Sequence, residues 1–285
     1  MCSSDLWGTF MYARMPFGLI NAGATFQRAM DVAFVGEKDK FLVVYLDDIT
    51  VFSENDAEHI EHLRRTFEKC RRYGLSLNPQ KSLFALEEGK ILGHIVTKDG
   101  VKIDPKRVEV INGIAFPRNK KEVKVFLGRI NFLRRFIPNY AEIVRHITDI
   151  LKNNNEVKWS QESREAFTRI KNAFAEALVL AGPDYDKPFM IFSFASPHTI
   201  GGVLLQKNDE GYEQPIAFFS QVLRDAELKY NILEKKAYAL VKSLKAFCVY
   251  ILQSHITAFV PAAAVKYILI QGDSEGKRGK WIAKI

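Results

Sequence analysis

Cysteine is scarce in this chain of 285 residues, and the three present (Cys2, Cys70 and Cys248) lie far apart. With no Cys-x-x-Cys pair and no histidine at zinc-ligand spacing, the sequence argues against a disulfide framework or a zinc site, and for a reducing compartment. No apolar run reaches the roughly 18 residues that a membrane helix needs, and no signal peptide is apparent. The expectation is an intracellular chain with no membrane partner. Low complexity is missing too. Charged residues make up 26% and apolar residues 47%, which suits a globular chain with two or three cores. Charge is the one imbalance. Forty-one Lys and Arg against 33 Asp and Glu give +8, a lean toward an acidic partner, of which nucleic acid is the usual one.

The stretch that organises the rest is FLVVYLDDITVF, Phe41 to Phe52. Its β-branched and aromatic flanks suit two strands, and the adjacent Asp47 and Asp48 fall where a tight turn would reverse the chain. Two neighbouring carboxylates repel unless a cation lies between them, and magnesium favours carboxylates together with substrate phosphates. A solvated Asp-Asp turn is the ordinary alternative. On these residues alone both readings stay open.

Along the chain, Met1 to Leu6 gives no clear element, and Trp7 to Tyr12 reads as an aromatic strand. Pro16 and Gly18 break it before a helix from Thr25 to about Phe34, capped by Asn21 or Thr25. After the acidic hairpin, Ile60, Leu63, Phe67 and Cys70 form the apolar stripe of a helix over 56–73 that stops at Gly74. Short strands are expected at 75–78 and 81–86. A hairpin is expected from 91–96 to 101–103, across Lys98-Asp99-Gly100. From Asp104 on, three helices follow: one capped by Asn119 with basic residues away from its apolar face, one over about 141–151, and one opened by Ser160. From about Pro183 come three strands, a long helix over 234–251 with Cys248 or Tyr250 inward, a strand near 255–260 and a short helix over 263–269. The pattern is α+β followed by a mixed-sheet α/β region.

Taken in order, Trp7-Gly8-Thr9, MPFGLINAGATFQ (15–27), YLDD (45–48), GLSLNPQKS (74–82) and ILGHIVTKDGVKIDP (91–105) resemble the reverse transcriptase of gypsy-type LTR retrotransposons. FLGRINFLRRFIP (126–138), Trp159 and PFMIFSFAS…GGVLLQ (188–206) continue the resemblance in family order and spacing. The resemblance implies a multidomain α+β and α/β chain. Residues 1–103 would form partial fingers and a polymerase palm, 104–182 a helical thumb, and 183–285 an RNase H-like mixed-sheet domain. It implies RNA-directed DNA polymerisation by two-magnesium nucleotidyl transfer. Asp47 and Asp48 take the metal role, with Tyr45 beside the primer–template. Phe17, Gly18 and Gln27 match the stretch that contacts nucleotide and template. Lys81 matches a lysine near the triphosphate, and Leu92, Gly93 and His94 match the primer grip. The implied partners are an RNA/DNA primer–template duplex, dNTPs and the rest of a polyprotein (protease and integrase, with or without a second RNase H). The implied setting is a cytoplasmic retrotransposon particle, with nuclear entry afterwards.

Departures from the family pattern carry expectations of their own. The family's third metal-binding Asp lies on a strand before Trp7. A chain without it is expected to bind magnesium weakly and not to polymerise alone. In the RNase H-like region the family's Thr-Asp-Ala-Ser appears as Ser193-Phe194-Ala195-Ser196, and its later Thr-Asp-His appears as Val260-Pro261-Ala262. Phe194 and Pro261 therefore replace ligands, while Glu234 is read as the surviving helix acid. One carboxylate cannot run two-metal hydrolysis, so RNase H activity is expected to be absent. The other reading of the whole chain is an inactive nucleic-acid-binding remnant of a decayed element.

Overall fold

The computed structural model describes residues 2–5, 8–12, 15–16, 18–152, 157–252 and 254–260. The chain packs as two units, Met1–Leu86 and Glu87–Ile285. In the first, β1 (Cys2–Asp5) pairs antiparallel with β2 (Gly8–Met11), Cys2 opposite Met11. The expectation of no element before Leu6 is thus corrected. A strand so short exists through its partner, which local composition does not reveal. α1 (Ala22–Ala33) starts after Asn21, although the Asn21 side chain makes no capping bond. Met30, Ala33 and Phe34 at its end pack with Phe41, Leu42 and Val44. Those residues lead into and form β3 (Leu42–Tyr45), which pairs with β4 (Asp48–Val51) as a two-stranded sheet of its own.

α2 (Asp56–Arg72) is capped by Asn55, whose side chain accepts the Glu58 N–H at 2.9 Å. Its inward face matches the expected one only in part. Thr66 and Cys70 are buried, whereas Ile60 is 63% exposed and Phe67 40%. The helix is rotated because His62 stacks on Phe41, with ring centroids 3.9 Å apart. Ser53 Oγ also bonds to Nδ1 of both His59 (3.2 Å) and His62 (2.7 Å), drawing the histidine face inward. The strands expected at 75–78 and 81–86 are turns and irregular chain instead. The Asn78 carbonyl accepts from the N–H groups of Lys81 and Ser82 and from the Ser82 hydroxyl, so polar groups a ladder would have used are bonded locally.

The second unit opens with a meander of β5 (Gly89–Ile91), β6 (His94–Thr97) and β7 (Gly100–Ile103). The single strand expected over 91–96 is broken by a two-residue turn at Leu92 and Gly93, both left-handed (φ +51° and +79°). Positive φ at both centres is the I′ geometry that matches hairpin twist. α3 (Pro105–Asn112) was not expected, although Asp104 accepts the Lys106 N–H at 3.0 Å and Pro105 sits in the first turn. α4 (Lys120–Asn131), capped by Asn119, is followed by a 3-10 turn over Arg134–Phe136, then α5 (Tyr140–Asp149) and α6 (Gln161–Ala175), opened by Ser160. Phe126, Ile130, Phe136, Ile147, Phe167 and Ile170 are fully or nearly fully buried in one helical core.

β8 (Phe189–Ala195), β9 (Thr199–Lys207) and β10 (Glu213–Val222) are antiparallel neighbours, and β11 (Ile256–Phe259) joins β8 in parallel. The order β10-β9-β8-β11 is the expected mixed sheet. α7 (Ile232–Ile251) packs along β8 and β9 and buries Ala237, Leu240, Val241, Phe247 and Ile251. Of the two residues offered for the inward position, Tyr250 packs partly buried against this core and Cys248 is exposed, with Phe247 buried beside it. The helix expected over 263–269 lies outside the described residues. Among the described residues no helix is long and apolar enough to cross a membrane.

Candidate active site

The turn between β3 and β4 is Leu46-Asp47, with Tyr45 paired to Asp48. Directly opposed residues of an antiparallel pair point to the same face. Tyr45 and Asp48 therefore share the face opposite the buried Val44, and Asp47 sits on the turn; all three are exposed. Leu46 has φ +50°, a left-handed conformation that costs a branched residue about 1–2 kcal/mol. A brace from α1 offsets that strain. Gln27 Oε1 accepts the Leu46 N–H at 2.7 Å, and Gln27 Nε2 donates to Asp31 Oδ1 at 3.2 Å and reaches the Val44 carbonyl at 3.5 Å. Lys38 Nζ donates in turn to Asp31 Oδ1 at 2.6 Å. The Lys38 hydrogen bond, then that of Gln27, holds the Asp31 carboxyl below its ordinary range. This brace is the feature that sequence reasoning missed, since its ends are 19 residues apart.

The brace yields a measurable expectation. Gln27→Leu removes the acceptor of the Leu46 N–H and should free the turn by about 1 kcal/mol. Amide exchange at Leu46 should then quicken about fivefold; an unchanged rate would show that the turn stands without Gln27.

Two carboxylates at one hairpin end, Asp47 on the turn and Asp48 opening β4 instead of both on the turn as expected, suit magnesium, which binds through one or two carboxylates plus substrate phosphates. Among the described residues no group of three or more acidic, histidine or cysteine side chains converges to hold a metal. Phe17 lies outside the described residues, whereas Gly18 is described, exposed and left-handed (φ +89°) ahead of α1. Lys81 is exposed on the turn that Asn78 closes.

Within the second unit, Leu92 and Gly93 form the tip of the β5–β6 hairpin, and Leu92 is 50% exposed. His94 begins β6 and stacks on Phe132 at 4.7 Å, with Phe136 at 5.3 Å on a tilted ring. Burial first, then the guanidiniums of Arg135 and Arg107, hold its imidazole below the usual histidine range. At the other end of the unit, Phe194 sits near the end of β8 with its ring against Gly201. Glu234 is buried and its carboxylate accepts the Asn231 N–H at 3.1 Å, while Asn231 caps α7 in return. The neighbouring Lys235 donates to the Pro197 carbonyl at 2.7 Å. Glu142 of α5 accepts from Thr199 at 2.6 Å and from Ser196 at 3.2 Å, tying the β8–β9 turn to the helical core. Pro261 lies outside the described residues.

A carboxylate hairpin lies in one unit, and in the other a helical core is joined to a mixed sheet, the layout of the reverse transcriptase and RNase H-like modules that the chain matches. Residues 3–96 match the profile described as "Reverse transcriptase (RNA-dependent DNA polymerase)". Residues 159–258 match "RNase H-like domain found in reverse transcriptase". The chain is 39% identical over 246 residues to the Drosophila melanogaster "Retrovirus-related Pol polyprotein from transposon 297", covering 86% of this chain and 23% of that protein. It is 35% identical over 249 residues to the corresponding polyprotein from transposon gypsy of the same organism, covering 83% of this chain and 24% of that one. The foamy viral protease-reverse transcriptase in complex with an RNA/DNA hybrid superposes with a TM-score of 0.82 at 26% identity, over 99% of this chain and 39% of that one. The chain belongs to the gypsy-type LTR retrotransposon Pol family, as a reverse transcriptase and RNase H-like region. It spans about a quarter of the length of these curated relatives.

Proposed function

We propose that this chain carries the palm hairpin, thumb and RNase H-like tether of an RNA-directed DNA polymerase. The observation that carries the reading is the Leu46-Asp47 turn leading into Asp48, braced from α1 by Gln27 and presenting Tyr45 and Asp48 on one exposed face. Asp47 and Asp48 would hold magnesium, which when bound supplies charge neutralisation for phosphoryl transfer between a primer 3′-hydroxyl and a dNTP. The residues of this chain orient that site: Gln27 fixes the turn, Tyr45 lies beside the base-paired primer end, and Gly18 leaves room for nucleotide and template. Lys81 contributes a cation toward the triphosphate, and the Leu92-Gly93-His94 tip holds the primer strand. The substrates are then an RNA/DNA primer–template and dNTPs, and the rest of the polyprotein is the partner. The setting is an intracellular particle, with nuclear entry of the product.

The RNase H-like sheet acts in this reading as a tether for the duplex. Phe194 offers no oxygen ligand, and the Glu234 carboxylate is engaged in capping α7. In a primer-extension assay any magnesium-dependent incorporation should be lost in the Asp47→Asn/Asp48→Asn variant. The 285-residue chain should leave the RNA strand of a hybrid intact. Incorporation that survives in the double variant would remove the two carboxylates from the site, and cleavage of the RNA would end the tether reading.

A further inference from the structure

The tip of the β5–β6 hairpin is backed by two guanidiniums to which the reading above gives no task. Arg107, from α3, lies over the Phe132 ring with Cζ 4.6 Å from its centroid. Its Nη2 stands 2.6 Å from where a side chain on Gly93 would begin. Arg135, from the 3-10 turn, lies over Phe136 with Cζ 5.7 Å from the centroid. Both rings contact His94. The two cations thus stand on either part of one aromatic ladder beside the turn.

Neither guanidinium has a carboxylate partner among the described residues. Of the two acids flanking Arg107 in sequence, Asp104 is committed to Lys90 Nζ at 2.5 Å and to the Lys106 N–H, and Glu109 is exposed. Arg135 Nε is buried and lacks any acceptor, and so does His94 Nδ1 beside it. A buried donor without a partner costs about 1–3 kcal/mol, and more when it belongs to a charged group. Two like charges around one imbalanced ring add repulsion, which is also what helps to depress the His94 pKa. Cationic groups that pair with no acid among the described residues suit an anionic acceptor from outside the chain. Guanidinium suits phosphate, which it meets with paired N–H groups.

We propose that Arg107 and Arg135 form a phosphodiester-binding subsite around His94, taking the backbone of the strand held at the Leu92-Gly93 turn. The aromatic ladder fixes the two guanidiniums in place, so little side-chain entropy is lost when phosphate binds. Leu92 and Gly93 set the path of the strand, and the arginines supply its charge contact. This inference rests on the duplex-binding reading but concerns residues outside the grip tripeptide.

The test is the salt dependence of binding of a labelled RNA/DNA hybrid to the full chain, without dNTPs. Arg107→Met and Arg135→Met keep the stem over each ring and remove the charge. Each should lower affinity about fivefold near 0.15 M salt and reduce the slope of log K against log salt by about 0.9. Arg107→Lys keeps the charge and should keep the slope. Slopes unchanged in both Met variants would overturn the subsite while leaving duplex binding intact. Weakened dNTP binding with an unchanged duplex slope would overturn it equally, by assigning the arginines to a triphosphate. A parent chain that binds no hybrid at any salt would sink the duplex-binding reading itself.

Discussion

Asp48→Asn, placed in a polymerase that joins this hairpin to an Asp-bearing strand of the family, should lower the incorporation rate by about three orders of magnitude or more. Asp47→Asn should do the same. An amide keeps the shape of the side chain but gives up the negative charge that draws a hard divalent cation. The exposed setting of both residues means that the loss falls on chemistry and not on folding. The two changes together should cost little more than either alone, because groups acting as one unit lose their effect at the first deletion. Single-turnover rates across the four variants check this. Additive losses, or a rate within tenfold of the parent for either single variant, would remove the pair from the metal role.

Phe136→Ala should be the most damaging of the packing changes, costing about 3–5 kcal/mol as expected for deleting a buried aromatic ring. Phe136 is fully buried in the helical core and supports the tilted contact to His94. In a domain of 150–250 residues each kcal/mol lowers the melting temperature by about 2–4 °C, so a fall of about 10 °C is expected. Phe132→Ala, with 44% of that residue exposed, should lower the melting temperature much less. Both variants should weaken hybrid binding, because both remove a rung under the Leu92-Gly93 turn. Thermal melting of the two variants side by side separates the effects. Equal melting temperatures for parent and Phe136→Ala would mean that the core does not rest on this ring.

Much of the fold was legible because its signals are local. Asn119 and Ser160 stand directly before their helices and accept the expected capping bonds, and Asn55 caps α2 in the same local way. The β3–β4 hairpin follows from β-branched and aromatic runs on either side of two acids. Asp104-Pro105 carried an equally local helix start and was read only as a region boundary. What stayed hidden depends on distant partners. The stripe of α2 looked correct by spacing, yet Phe41 and Ser53 turn the histidine face inward. The segments at 75–78 and 81–86 have strand composition but no strand to pair with, and Asn78 captures their backbone. At the candidate site the acids were visible and their support was not. Gln27 looked like a residue for ligand contact, whereas its amide is engaged with the turn that carries Asp47. Glu234 looked like a surviving ligand, and its carboxylate closes a helix cap.

The central claim is the proposal that Asp47 and Asp48 form the metal-holding end of a reverse transcriptase hairpin. Single-nucleotide primer extension on an RNA template tests it most directly, in a polymerase that carries this hairpin. Magnesium-dependent incorporation should be abolished there by Asp48→Asn. A polymerase whose incorporation is indifferent to Asp48→Asn would contradict it.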